Sequence, residues 1–585
     1  MKKKLKTALI TSLIMVLALG GICFFGYRQN KKIQDAQKRL ERQELDILSK
    51  DSQKEVFDER QIENTAMDTK AKDTKTIYSI EYTDKQNRHI EKCKKKIIYD
   101  FNNPLMEWDP YGTNHLSLYL YFMATEDTYI RYTVQVEDEK IPNFTRTLYN
   151  GKKDNLTREH SYQVTGFVPG RKNLLILDLY GKDDKLRNRK VYAIDVPASQ
   201  SGAKTKITVS SGRSEQQVSN GLYTLFGKKS ILLYDNSGVL RAEIPLNSIA
   251  SQRVLLQDNR MYYAIDKKHI VAVGPLGEVE KVYSLGKYNQ YEDFIYNGYG
   301  DLWILATKTG KKSKSVRDTL LSLDLQNGEV KELFSMEKLL PQMLKKAKKK
   351  KKQNEINWID LTSVTQVNSD EVLISSRELS SIFKVININS RSPRISFIIG
   401  ETKVWKKSGY EKKLLAKAGQ EEADVAQEEA QTNSVVDLGK AEEVFYAPFR
   451  PTCIQTETSS KLDDGQYYLY VWNSNYGYSA TRPKINWTDY KGIGTKQRDA
   501  KCSYVDKYLI DEANAQYSKE EKKEVSYTPD KGSMQFYGNR NIYNYGSIKE
   551  YAEYDKKGRM IRKFSHDLPN VLLVEKNNFK GFWFQ

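Results

Sequence analysis

The sequence has no P-loop, no dinucleotide-binding glycine fingerprint and no His-Glu-x-x-His pair. This removes the usual signatures of nucleotide hydrolysis, nicotinamide or flavin binding and zincin chemistry. Cysteine is rare, at four in 585 residues. Cys93, Cys453 and Cys502 are too widely spaced for a zinc knuckle, and neither a metal nor a cofactor is expected. In an exported body Cys453 and Cys502 can pair and leave Cys93 alone, or all three can stay free. Proline is also sparse, at 14, whereas tyrosine reaches 39. With many short alternating runs, this balance favours an all-β body. The formal charge of +19 suits an anionic neighbour such as a lipid headgroup, a wall polymer or a sulfated ligand. Nucleic acid is not expected, because no finger, basic helix or stacking motif accompanies the dispersed lysines.

Lys2, Lys3, Lys4 and Lys6 precede an apolar run from Ala8 to Tyr27, long enough to cross a bilayer as one helix. Residues 1–27 are therefore read as a signal anchor with a cytoplasmic N-terminus, giving a single-pass protein of the cell membrane with an extracytoplasmic body. A cleaved signal peptide is the rival, since Ala18, Leu19 and Gly20 offer small residues at a suitable distance. Residues 28–75 read as a helical stalk and linker. Ile33, Ala36, Leu40 and Ile47 fall near heptad spacing, which fits either a short coiled coil or a solvated single helix.

Between residues 76 and 197, alternating runs at His115–Tyr121, Ile130–Val136, Ser161–Val164 and Leu174–Tyr180 are separated by turns such as Pro169-Gly170-Arg171. They predict a small β-sandwich. Residues 198–219, rich in Ser, Gly, Lys and Gln, read as a linker. Beyond it a turn recurs as Asp235-Asn236-Ser237-Gly238, Gly274-Pro275-Leu276-Gly277, Leu325-Gln326-Asn327-Gly328 and Asp555-Lys556-Lys557-Gly558, each followed by a charged β-prone run. Such periodicity predicts a six-bladed β-propeller over residues 220–585. A lysine run near 343–355 and an Ala-, Glu- and Lys-rich stretch at 411–443 interrupt the repeat as insertions. Solvated loops are the plain reading of both, and contact between the lysines and an anionic lipid or polymer is the specific one.

The stretch from residue 357 to 388, NWIDLTSVTQVNSDEVLISSRELSSIFKVINI, resembles one family. Trp358, Ser363, Ser375, Ser376 and Arg377 stand where the bacterial aryl-sulfate sulfotransferases carry Trp, Ser and Ser-Ser-Arg. DPYGTNHLSLYLYF at 109–122, HSYQVTGFVPGRKNLLILDLYG at 160–181, YEDFIYNGYGDLWILATKTG at 291–310 and PTCIQTETSSKLDDGQYYLYVWNSNYG at 451–477 are similar to its other segments in the same order. The resemblance implies a propeller preceded by an accessory sandwich, and a homodimer through the stalk or sandwich.

It also implies a site. In the family a histidine accepts the sulfuryl group of an aryl sulfate and passes it to a phenol, while two further histidines and an arginine hold the sulfuryl oxygens. Imidazole suits the first task because it is nucleophilic at neutral pH, and cationic donors offset the charge on the transferred group. Here the matching positions hold Tyr291 and Glu292 in blade three, Asp360 in blade four and Gln455-Thr456 in blade five; Arg377 alone is kept. Asp360 and Thr456 are the family-equivalent catalytic positions, and Arg377, Tyr291 and Glu292 the substrate-binding ones. The expectation is a relative that binds a sulfated or phenolic small molecule without turnover, or serves as a surface scaffold. The alternative is direct sulfuryl transfer with Asp360 or Glu292 as general base.

Overall fold

The repeated glycine turns all fall at one place in the architecture. In the computed structural model, which describes residues 50–585 apart from 52, 71, 311, 313, 349–353 and 419–446, each closes the outermost hairpin of a blade. Ser230–Tyr234 is joined in this way to Leu240–Pro245, His269–Val273 to Val279–Ser284, Thr319–Asp324 to Val330–Ser335, and Glu550–Asp555 to Met560–Ser565. Gly238, Gly277, Gly328 and Gly558 take φ of +73°, +99°, +81° and +75°, a region closed to most side chains by their Cβ. In blades one and six the turn is also held by an aspartate. The Asp235 carboxylate accepts from the Ser237 and Val239 amides, and Asp555 does the same for Lys557 and Arg559.

Six sheets form the ring, antiparallel except where Ala416–Lys417 adds in parallel to the outer strand of blade five. Blades two to four each run four consecutive strands, with Val254–Gln257, Tyr288–Tyr296 and Leu361–Asn368 innermost. Blade five starts at Pro451–Glu457 and blade six at Gly532–Tyr537. Blade one is a composite: Leu222–Phe226, Ser230–Tyr234 and Leu240–Pro245 come from the start of the ring, and Glu575–Asn577 from its end. The clasp is locked by charge. Lys576 and Glu553, neither with measurable exposure, pair at 2.8 Å, and the Tyr223 hydroxyl donates to the same carboxylate.

The ring is preceded by a seven-stranded sheet built on the 18-residue strand Leu118–Gln135. One half of this strand pairs with Leu105–Trp108 and Thr157–Val164, the other with Phe144–Thr147 and Lys172–Gly181. The sheet covers the otherwise open edge of blade one. The Gly166 amide donates to the Arg241 carbonyl, the His115 amide to the Glu243 carbonyl, and the fully buried Arg241 guanidinium donates to the carbonyls of Gly166 and Pro142 and pairs with Asp235. The C-terminal residues return to the same sheet, where the Trp583 indole donates to Gln163 and Phe584 bridges to Leu148. One apolar core therefore runs through the sheet, blade one and the C-terminal aromatics.

Several expectations need correction. The run expected as strands His115–Tyr121 and Ile130–Val136 is one continuous strand. A 15-residue helix, Ile80–Lys94, lies in the region read as all strand; Ser79 caps it by accepting from the Tyr82 amide. In its described part beyond Lys50, the expected helical stalk holds only the 3-10 turn Glu59–Gln61 and the start of the four-residue helix Thr74–Ile77. Lys54 donates to the carbonyls of Val136, Glu137 and Asp138, and Ile62–Asn64 adds in parallel to the sheet edge at Val191–Ala193, where unpaired edge groups satisfy its backbone. The expected linker at 198–219 contains the strand Thr208–Ser211, which extends blade six outward. Cys93, Cys453 and Cys502 are buried and free. Burial pushes the Cys453 thiol up to about 12. The apolar segment and the heptad residues up to Ile47 lie outside the described residues, as do most of the two insertions. Among the described residues no helix is long and apolar enough to cross a membrane.

Candidate functional site

Four successive blades begin with the same backbone feature. Glu292, Asp360, Arg450 and Lys531 have φ of +53°, +53°, +51° and +61°. Asp360, Arg450 and Lys531 immediately precede the innermost strand of their blade, and Glu292 sits where the ladder of Tyr288–Tyr296 is interrupted. A left-handed residue costs of order 1–3 kcal/mol when it is not glycine. At Glu292 and Asp360 it carries a carboxylate of the cluster described next, whereas the Lys531 ammonium donates to the Pro569 carbonyl and to Asn570.

In that cluster the charges close on one another. Arg377 lies on the turn after Glu371–Ser376, with its amide bonded to the Asp360 carbonyl. Its guanidinium donates to Asp360 at 2.8 Å, to Asp530 at 2.7 Å and to Glu292 at 3.1 Å. Arg317, on the corresponding turn of blade three, donates to Glu292 at 2.8 Å and Asp360 at 3.2 Å. Burial alone would raise the Asp360 carboxyl, but Arg377 and Arg317 override it and hold it far below the usual carboxylate range. The Arg317 guanidinium also lies 5.1 Å from the Tyr291 ring centre, and burial pushes the Tyr291 hydroxyl well above its ordinary value.

Arg450 is held differently. Burial and then repulsion from Arg377 push its guanidinium below its ordinary value, and it lies 5.4 and 5.8 Å from the ring centres of Tyr476 and Tyr478. Those tyrosines belong to residues 474–502, which connect Gln466–Asn473 to Ser503–Asp511 in blade five. Two side chains fasten this connection to blade four. The Glu378 carboxylate accepts from Ser479 and Thr481, and Arg482 donates to the Trp358 and Met343 carbonyls. The connection forms a half-open cavity of about 340 Å³ lined by Tyr478, Arg482, Trp487 and Lys496 among others. Burial brings the Arg482 guanidinium down to about 10.

The structure thus brings together Glu292, Asp360, Arg377 and Tyr291. It does not bring in Thr456, whose hydroxyl bonds to the Gln366 carbonyl and Thr365. Six residues of strand from Arg450, or roughly 20 Å, put it toward the other end of blade five. The residue of blade five that shares the geometry of Glu292 and Asp360 is Arg450. Sequence reasoning missed Arg450, Asp530 and Arg317. The first two directly precede the Pro451 and Lys531-Gly532 strand starts, and aligning the blades on those starts rather than on motif text would have found them.

The histidines lie elsewhere. The His115 ring bonds to Asp109, and His269 to Asp266. His160 is stacked on Phe122 between Thr128 and Tyr162, and burial lowers it to about 4. His566 is buried 6.4 Å from the Tyr551 ring and is likewise lowered to about 4. His89 bonds to Glu107 on the preceding sheet.

Residues 208–573 match the family model described as arylsulfotransferase (ASST), and residues 105–197 match that of the arylsulfotransferase Ig-like domain. No curated protein matches the chain. Among solved structures, selenomethionine-substituted virginiamycin B lyase from Staphylococcus aureus is 10% identical, covering 69% of this chain and 94% of its own, with a TM-score of 0.29. BamB from Moraxella catarrhalis is 8% identical, covering 62% and 91%, with a TM-score of 0.27. A functionally unknown protein from Desulfotomaculum acetoxidans is 8% identical, covering 68% and 95%, with a TM-score of 0.32. With both family models matched in chain order, over the sheet and over the six-bladed ring behind it, the chain belongs to the arylsulfotransferase family.

Proposed function

We propose that this arylsulfotransferase-family propeller binds an aromatic anion, an aryl sulfate or a related phenolic ester, without passing a sulfuryl group through a covalent histidine. The observation that carries the reading is the state of Arg377. Its guanidinium meets three carboxylates, so each of its three nitrogens already donates to a carboxylate that a sulfuryl group would have to displace or adjoin. Asp360 beside it is poorly suited to the alternative chemistry. A general base works best with a pKa near the operating pH, and Asp360 is held far below it by two arginines. Direct transfer with Asp360 as base is therefore disfavoured.

The ligand is assigned to the neighbouring cavity. Its lining combines two ring systems, Tyr478 and Trp487, with the cations of Arg482 and Lys496, the pairing that an aryl group with an anionic substituent requires. The Lys496 ammonium lies 4.2 Å from the Tyr478 ring centre. In this reading the body works outside the cytoplasm, held at the membrane by the apolar segment at 8–27, an assignment that rests on the sequence alone.

The test is a calorimetric titration of the purified protein with 4-nitrophenyl sulfate, run beside a colorimetric assay for nitrophenol release with phenol as acceptor. Saturable binding without release is expected. Lys496→Ala should weaken binding roughly 5- to 30-fold, from a lost contact of about 1–2 kcal/mol, with unchanged circular dichroism. Turnover that disappears in Arg377→Ala would replace this reading with direct transfer. Absence of both binding and turnover would leave a scaffold.

A further inference from the structure

The helix Ile80–Lys94 presents His89 and Cys93 one turn apart on the same face. Opposite them stands Glu107 of the strand Leu105–Trp108. The His89 Nε2 lies 3.0 Å from the Glu107 carboxylate and 3.7 Å from the Cys93 Sγ, and the three donor atoms all fall within 4.8 Å of one another. A single ring nitrogen cannot serve both neighbours. It has one bonding direction in the ring plane, so when its proton goes to Glu107 it has no lone pair for the thiol.

We infer that His89, Cys93 and Glu107 form a binding site for a zinc-class divalent cation. Nitrogen, sulfur and oxygen ligands of this kind bind zinc at about 2.0–2.1, 2.3 and 2.0–2.2 Å. At tetrahedral angles these bonds place nitrogen and oxygen about 3.3 Å apart and nitrogen and sulfur about 3.6 Å apart, close to the separations found here. The donor set mixes a borderline imidazole with a soft thiolate and a carboxylate, which suits zinc rather than calcium or magnesium. The Cys93 thiol is buried among Ile90, Leu105, Tyr111, Tyr119 and Tyr121, whereas the His89 side chain is 53% exposed. The ion would therefore sit on the rim of that cluster, and its fourth position would face water. On binding, the Cys93 thiol gives up its proton to solvent as the sulfur–metal bond forms, so uptake should strengthen as pH rises.

The site has a structural consequence. The helix is held to blade two through the Thr83 hydroxyl, which accepts from the Val279 amide, and to the sheet through the apolar cluster around Ile90. A metal between His89, Cys93 and Glu107 would fasten the helix to the sheet by a third, coordinate link. The spacing rules that detect zinc from cysteine pairs miss such a site, because it draws two ligands from a helix and the third, 14 residues after Cys93, from a strand.

The experiment is a titration of the reduced, full-length protein with cobalt(II), followed by displacement with zinc(II). One equivalent should give a thiolate-to-cobalt charge-transfer band together with strong tetrahedral ligand-field absorption, and zinc should abolish both. Cys93→Ser should remove the charge-transfer band. His89→Gln and Glu107→Gln should each weaken affinity at least about tenfold, and zinc should slow amide exchange across residues 80–94 in the wild type only. Both of these side chains are partly exposed, so their variants carry the test should Cys93→Ser fail to fold. Absence of a thiolate band in the wild type, or a band that persists in Cys93→Ser and so comes from another cysteine, would overturn the assignment.

Discussion

Arg377→Met is expected to cost about 3–5 kcal/mol of folding stability, read as a lower midpoint in urea. The substitution removes a guanidinium that is 8% exposed and leaves Glu292 and Asp360, at 11% and 9%, with Arg317 as their shared partner. Most of the cost is the uncompensated carboxylate charge rather than a lost contact. The pH dependence distinguishes the two. In the native protein Asp360 is held below its ordinary value, so its contribution is complete above the unfolded carboxyl pKa of about 4 and is lost as pH falls through the folded value. Without Arg377 that carboxyl moves upward and takes a proton more readily. The gap between wild type and variant should therefore be widest near neutrality and narrow below about pH 4. A gap that stays constant from pH 3 to 7 would mean that packing, not charge, holds this end of the ring together.

Lys576→Met should do comparable damage at the clasp. Lys576 and Glu553 are both fully buried, and the lysine also donates to the Ser219 carbonyl and meets the Tyr223 hydroxyl. Burial lowers its ammonium to about 8 against the pull of Glu553, so the pair is charged at neutral pH. Removing the cation leaves Glu553 buried with a neutral tyrosine, two serine donors and a distant Arg540 at 3.5 Å. A loss of about 3–5 kcal/mol follows. Replacing both charges, as Lys576→Met with Glu553→Leu, should recover most of it, since well-packed apolar pairs substitute for buried ion pairs at little cost. A double variant no better than the single one would show that the hydrogen bonds of Glu553, rather than its charge, close the ring.

The sequence was most legible where a local rule has a single solution. A glycine with positive φ closing a tight turn is such a case, and four of these turns mark the outer hairpins of blades one, two, three and six. Blades four and five lack that turn and were found through motif text instead. The helix at 80–94 was not legible. Its interior is mostly polar, and only Thr83, Ile90 and Cys93 are buried, so no apolar stripe marks it. The clasp strand Glu575–Asn577 is three residues long and carries a lysine where a core residue would be expected; its identity depends on a partner some 350 residues earlier. The residues of the charged cluster are half legible. Glu292, Asp360 and Arg377 lie within text that aligns. Arg450 and Asp530 are fixed by backbone geometry at strand starts, which a motif comparison shifted by six residues at Thr456.

The order in which the ring is assembled has a consequence for how the protein is made. Blade one pairs residues 222–245 with residues 575–577, and the sheet at 147–149 and 163 receives residues 583–585. While the chain is emerging, the edge of Leu222–Phe226 stays unpaired until residues 575–577 have been delivered. An exposed strand edge invites pairing with another chain. Products that stop short of residue 575 would therefore be the ones to aggregate.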